Sequence, residues 1–405
     1  MSVDNLDQLG GASSTAVLRR KNRESLINLI GQRGVLTRGR LAEETGLTSA
    51  AISRITREML EAGLLIESPS DEPPGRVGRR ETLLSINPTG AFVLAVSLTA
   101  NRRSVTLANA LGDIVETIDC DDLDPSSASE FLEKLAERAK ALIYDANFNR
   151  SRLLGVGVAA AISSGADKGG RADLVTSNPL GWRDVPVGAI LKEALQLPVR
   201  VEPRAAAILR AELKPRVEPG DIYLVNVALG IGVSAYLDGR FVASGTAGFG
   251  SLSHFRIPDE ERLCQCGRRG CLEVTASGRA ILEMLGMPDL PLAQLASRLN
   301  EAVLAADTKE PTAVNAFREA GRRLAVGIDA VIALFDPQTV ILGGEVGRQP
   351  EYLAGLIEGL EAAGRSNAKA MVERSTIRSA DAAISVALQE FVFTGELNVK
   401  KLKAA

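Results

Sequence analysis

Apolar residues recur at helical spacing through the first sixty or so positions of the chain. In TAVLRRKNRESLINLIGQRG, Val17 and Leu18 are followed by Leu26, Ile27 and Ile30, and the run stops at glycine. A second, short helix is expected in TRGRLAEETG, with Thr37 as N-cap, Leu41 and Ala42 on its buried side and Gly46 as its stop. After Leu47 a third helix starts with Thr48 or Ser49 as cap. Its stripe is Ile52, Ile55, Met59 and Ala62, at spacings of three and four, and Gly63 ends it. Leu65–Glu67 and Thr82–Ile86 then read as two strands around the turn-rich SPSDEPPGRVGRR.

From residue 90 the pattern changes to strands alternating with helices. AFVLAVSLT, RSVTLANA and GDIVETI are expected as three successive hairpin-ordered strands, SASEFLEKLAERAKALIYDA as an amphipathic helix and LLGVGVAAAI as a buried strand. The helix VGAILKEALQL leads to the strand PVRVEP. The theme repeats with DIYLVNVALGIGVSAYLDGRFVASG, helices near 275–286 and 311–334, and the strand TVILGGEV. Two halves of this kind predict an α/β architecture with a cleft between two lobes. The expected organisation is a tail over 1–14, a helical unit over 15–88, a first lobe over 89–200 joined by a C-terminal helix at about 380–395, and a second lobe over 201–379.

Two short helices joined by a tight glycine turn, the second longer, form a helix-turn-helix pattern, and the two strands make it a winged helix-turn-helix. The stripe on the third helix leaves Ser49, Ala50, Ser53, Arg54 and Arg57 pointing outward, with Thr48 at its cap. Small residues beside an arginine permit close approach to a major groove, where Arg54 can reach a guanine edge or a phosphate. Arg76, Arg79 and Arg80 on the wing suit the minor groove or its phosphates, and Arg19, Arg20, Lys21 and Arg23 are expected to add backbone contacts. The implied partner is double-stranded DNA. Charge is consistent with this: residues 15–86 carry twelve Lys/Arg against nine Asp/Glu, whereas the whole chain is at −3.

The chain has 405 residues, too many for one ordinary domain, and no run approaches the roughly 18 to 20 apolar residues that span a membrane. Its N-terminus carries acidic residues and no apolar core, unlike a signal peptide. Four cysteines in this length argue against a disulfide scaffold and for a cytoplasmic setting.

Three of those cysteines and the only histidine fall between positions 254 and 271, in HFRIPDEERLCQCGRRGC. His254, Cys264, Cys266 and Cys271 supply one imidazole and three thiolates, a set that suits tetrahedral zinc. Cys-x-Cys lets two sulfurs face one ion, and Gly267 and Gly270 let the loop fold back to deliver Cys271. Four protein ligands leave no place for a catalytic water, so the expected zinc is structural. Cys120, outside the cluster, is expected as a buried structural thiol.

LVNVALGIGVSAYLDGRFVASGTAGFGSLSH, CQCGRRGCLE, SNPLGW and DPQTVILGGEV resemble the ROK family of repressors, open reading frames and sugar kinases. GLTSAAISRITREMLEAGL and GRVGRRETLLSINP resemble the DNA-binding half of that family's repressors. The resemblance covers about residues 15–395. It implies an actin-like, ribonuclease-H-like two-lobed sugar kinase fold, the same His and CxCGxxGC zinc site beside the sugar pocket, and self-association as homodimer or homotetramer on an inverted-repeat operator.

Three positions separate this chain from the family's kinases. Where those carry Asp-x-Gly-Gly-Thr to cradle ATP phosphates, the sequence reads Ser97-Leu98-Thr99-Ala100-Asn101. Where they place Asn-Asp, whose Asp is the catalytic base, it reads Pro203-Arg204, and a guanidinium cannot accept a proton. Their Glu-x-Gly-His appears as Ser251-Leu252-Ser253-His254. The resemblance thus implies a DNA-binding regulator of sugar or carbon metabolism and no enzyme; the alternative is a sugar kinase with a DNA-binding arm. Effector contacts are implied at Asn178, Arg204, Ser251, His254 and Glu273. Loss of two carboxylates and gain of Arg204 favour an anionic sugar derivative over a neutral hexose.

Overall fold

The computed structural model describes residues 11–69, 82–100, 102–162, 174–216, 218–243, 252–288, 290–397 and 399–403. Three helices open the chain: α1 (Gly11–Arg33), α2 (Arg38–Thr45) and α3 (Ser49–Glu61). The first starts four residues inside the segment expected as a tail. Thr37 caps α2 by accepting from the Arg40 amide at 3.2 Å, and Thr48 caps α3 by accepting from the Ala51 amide at 3.3 Å. Gly46, at φ 68°, turns the chain between them. Strands β1 (Val35–Thr37), β2 (Leu65–Pro69) and β3 (Thr82–Ile86) form an antiparallel sheet in the order β1-β3-β2, with Leu65 opposite Ile86. The hydrophobic pattern alone does not reveal β1, which is only three residues long. Leu26, Ile27, Ile30, Leu41, Ile52, Met59 and Leu84 are wholly buried between helices and sheet, as the periodicity requires.

The body contains two five-stranded sheets of the same topology. The first comprises β4 (Phe92–Leu98), β5 (Arg103–Asn109), β6 (Ile114–Asp119) and β7 (Leu153–Ala160), then, after the hairpin β8 (Val175–Ser177) and β9 (Trp182–Val185), β10 (Val199–Pro203). The second comprises β11 (Ile222–Val227), β12 (Ile231–Leu237), β13 (Arg240–Ala243), β14 (Thr339–Gly343) and β15 (Val372–Arg374). In each, the first three strands form an antiparallel meander and the last two add parallel on the other side: β6-β5-β4-β7-β10 and β13-β12-β11-β14-β15. This duplicated order is what a two-lobed actin-like body requires. Cys120 is wholly buried beneath the first sheet's helix, and burial pushes its thiol pKa up. Among the described residues, no helix is long and apolar enough to cross a membrane.

The end of the chain ties these parts together. The helix Ser379–Phe391 packs against β4 and β7 and against the helix Arg204–Leu213. A Cβ on Gly157 would lie 2.4 Å from the Ala387 backbone nitrogen, so only glycine permits this approach. Beyond it, Phe393, Leu397, Val399 and Leu402 are buried in one core with α1 and α3. Asn28 donates to the Phe393 carbonyl at 2.9 Å, Arg23 to the Leu397 carbonyl at 3.0 Å, and Arg20 pairs with Glu396 at 2.6 Å. Arg20 and Arg23, expected to face DNA, are therefore engaged by the protein's own C-terminal segment. From the first lobe, Arg152 donates to the carbonyls of Ala62 and Gly90 at 3.1 and 2.8 Å.

Truncating Leu402, which is fully buried in this core, is expected to cost about 2–5 kcal/mol. Leu402→Ala should lower the thermal midpoint and raise amide exchange in α1 and α3 before it does so in β4 or β7; equal exchange throughout would contradict this placement.

Candidate DNA-binding face, metal centre and interlobe cavity

The third helix presents the face its pattern implies. Ile52, Ile55, Met59 and Ala62 are buried, and Thr48, Ser49, Ala50, Ser53, Arg54 and Arg57 are exposed. Neighbouring arginines are held by acids: Arg33 by Glu44, Arg38 by Glu67 and Arg40 by Glu43. Arg54 and Arg57 make no ion pair among the described residues. The wing residues Arg76, Arg79 and Arg80 lie outside the described residues.

The four candidate metal ligands converge. The Nδ1 of His254 lies 3.7 Å from Cys264 Sγ, Cys266 Sγ lies 3.6 Å from Cys271 Sγ, and all four ligand atoms fall within 4.8 Å of one another. Thiolates bound to one tetrahedral ion at ~2.3 Å stand roughly 3.8 Å apart, so the set fits a zinc-like ion. A short 3-10 turn, Leu252–His254, supplies the imidazole, and a turn closed by the Gly267 amide on the Cys264 carbonyl presents Cys264 and Cys266. Bridges pair Arg256 with Cys271 and Leu263 with Arg269. Gly270, at φ 71°, stands where a Cβ would meet the Glu260 carbonyl at 2.3 Å. Burial pushes the thiols of Cys264 and Cys271 up, and burial followed by the nearby Arg268 pushes His254 down. For the exposed Cys266, desolvation is the largest single effect and raises the thiol, but hydrogen bonds with Arg268, Cys271 and Cys264 together outweigh it and lower its pKa. Loading the site therefore displaces protons.

The implied effector residues are not all gathered together. Asn178 lines a cavity of about 320 Å³ with Ser177, Trp182 and Arg183 from the β8–β9 hairpin, Gln265 from the metal loop, Arg279, Leu292 and Leu295. His254 belongs to the metal cluster. Glu273 turns toward Gly230, and burial raises its carboxyl to about 7 against the opposing pull of Arg279 and the Ile231 amide. Arg204, at the start of its helix, is buried and lies 3.7 Å from Glu345, with its Nε unpartnered. Neither Glu273 nor Arg204 lines the cavity. Ser251 lies outside the described residues. Arg183, Gln265 and Arg279 carry no sequence signal of their own. Their nearness to SNPLGW and CQC is the only hint, and folding alone brings them to one wall. The phosphate-turn position is also occupied differently: the Thr99 hydroxyl donates to the Arg102 carbonyl and accepts from its amide, both at 2.9 Å.

Known proteins agree with this geometry. The ROK family profile matches residues 94–387, most of the chain and all of both sheets except the first two residues of β4. The chain is 23% identical over 341 residues to the xylose repressor of Caldicellulosiruptor bescii, covering 81% of this chain and 84% of that protein. A crystal structure of a ROK family transcriptional regulator, a homologue of the Escherichia coli Mlc protein, superposes with TM-score 0.72 at 23% identity over 96% of this chain and 100% of that one. The ROK hexokinase of Thermus thermophilus superposes with TM-score 0.54 at 22% identity, over 74% of this chain and 97% of that one. The chain belongs to the ROK family. The kinase is matched almost entirely by part of this chain, whereas the regulator also accounts for the winged helix.

Removing the ion is expected to loosen the loop. Chelation, or Cys264→Ser, should release metal measurable with a chromogenic chelator and lower the thermal midpoint by several degrees. Because the ligands must lose protons, apparent metal affinity should fall as pH is lowered from 8 to 6; a pH-independent affinity would argue against these ligands.

Proposed function

We propose that this protein is a DNA-binding transcriptional repressor of sugar or related carbon metabolism, controlled by a sugar or sugar derivative held in its two-lobed body. The observation that carries this reading is the outward face of α3. Small residues flank Arg54 and Arg57, which make no ion pair among the described residues though the charge of Arg57 reaches Glu61, while the arginines around them are paired. A face of this kind fits a major groove, with Thr48, Ser49, Ala50 and Ser53 allowing close approach and Arg54 and Arg57 reaching bases or phosphates. Arg76, Arg79 and Arg80 are assigned to wing contacts. Similarity along most of the chain to a protein named xylose repressor supports a carbohydrate signal.

In this reading the body self-associates as a homodimer or homotetramer, and two α3 helices read an inverted-repeat operator with half-sites about one helical turn apart. Effector binding changes the lobes' relative position and with it the spacing of those helices. His254, Cys264, Cys266 and Cys271 hold a structural zinc that orders the loop beside the cavity. The protein acts in the cytoplasm and catalyses no phosphoryl transfer, because the position of the general base is a buried arginine facing Glu345.

Selection from a random duplex library by the zinc-loaded protein is expected to enrich an inverted repeat. Arg54→Ala should weaken binding to that duplex by about 10- to 100-fold, the worth of one good base contact, and wild-type binding should fall steeply with salt. No enrichment, or an affinity changed less than about twofold, would refute the reading. An ATP-consumption assay over a panel of neutral sugars should stay at the blank rate.

A further inference from the structure

The cavity beside the metal loop is built from both lobes. Asn178 and Arg183 belong to the β8–β9 hairpin of the first, and Gln265 and Arg279 to the second. Among the described residues its lining holds two arginines and no carboxylate. Gln265 lies against Arg279, and with its side-chain amide turned so that the oxygen faces the guanidinium it accepts from both Nη atoms, at 2.9 and 3.0 Å, as a neutral partner. Arg183 makes no ion pair among the described residues. Glu273, whose field reaches Arg279, faces Gly230 and the Ile231 amide instead of the cavity. On the same wall Ser177 is fully buried with a hydroxyl that has no hydrogen-bond partner. The described wall of this cavity is thus cationic. Arg204, which the kinase comparison marks for an anion, is already opposed by Glu345.

We propose that this cavity binds an anionic carbohydrate, a sugar acid or a sugar phosphate. Its anionic group lies between Arg183 and Arg279, and its hydroxyls meet Asn178 and Gln265. The proposal rests on the reading of the body as an effector sensor. Guanidinium groups bind carboxylate and phosphate through charge-assisted hydrogen bonds, which are about twice as strong as neutral ones. A volume of about 320 Å³ is at the small end of ligand pockets, suited to one sugar ring. Because the two arginines come from different lobes, an anion bonded to both favours the arrangement that brings them together. Gln265 stands between two metal ligands, so the ion that orders the loop also places the partner of Arg279.

Calorimetry on the full, zinc-loaded chain tests this, with glucuronate, gluconate, xylonate and glucose 6-phosphate each set against its neutral parent sugar, and with inorganic phosphate alone. At least one anionic sugar is expected to bind about tenfold or more tightly than its parent and than phosphate. Arg183→Gln and Arg279→Gln should each lose about tenfold for that ligand, with the neutral sugar changed less than about twofold. Whether the carboxylates or the phosphate bind more tightly identifies the anionic group. Neutral sugars binding as tightly as their anions, no anion binding at all, phosphate alone matching the sugars, or variants with unchanged anion affinity would each overturn the proposal. Should a variant fail to fold, the wild-type ranking decides. Binding of the selected duplex by the same preparation separates the two readings. A recognised duplex without anion binding removes this site and keeps the repressor; anion binding without a recognised duplex does the reverse.

Discussion

The C-terminal chain is the constraint on which the rest of the molecule depends. The helix Ser379–Phe391 sits so close to the first sheet that Gly157 has no room for a Cβ, and it also packs on the helix that starts at Arg204. Its continuation then supplies Phe393, Leu397, Val399 and Leu402 to the core of the winged helix. The last residues of the chain thus complete the core of its first domain. Buried contacts thus join α1 and α3 to the body, in addition to the covalent link at residues 87–91.

The metal loop plays a comparable part in the cleft. Its backbone is held by two bridges and by a glycine that cannot be replaced without meeting the Glu260 carbonyl. The same few residues place three thiolates around one point and Gln265 against Arg279. The body has the two-lobed fold of its family, and in its cleft the Arg204 guanidinium lies 3.7 Å from Glu345 while the Thr99 hydroxyl bonds the Arg102 backbone just after β4.

Much of this was legible from residue order. Caps at Thr37 and Thr48, the stripe on α3, the wing strands, the paired hairpin-led sheets and the His/Cys cluster all follow from local periodicity or from spacing within eighteen residues. Short or amphipathic pieces were not legible: β1, the β8–β9 hairpin and β15 are each three or four residues long. The pairing of Arg20 and Arg23 was not legible because their partners, Glu396 and the Leu397 carbonyl, lie some 374 to 376 positions away.

The sequence by itself determined the helix-turn-helix, the hairpin-led start of each sheet, the gathering of one histidine and three cysteines within eighteen positions, and an arginine at position 204. Each depends on residues near one another in the chain or on the identity of a single side chain. The tertiary structure alone decided which arginines remain free, that Arg204 is opposed by Glu345, and that Arg183 and Arg279 share a cavity wall. Charge compensation and burial depend on distances through space, and these are set only once both lobes and the C-terminal segment have packed.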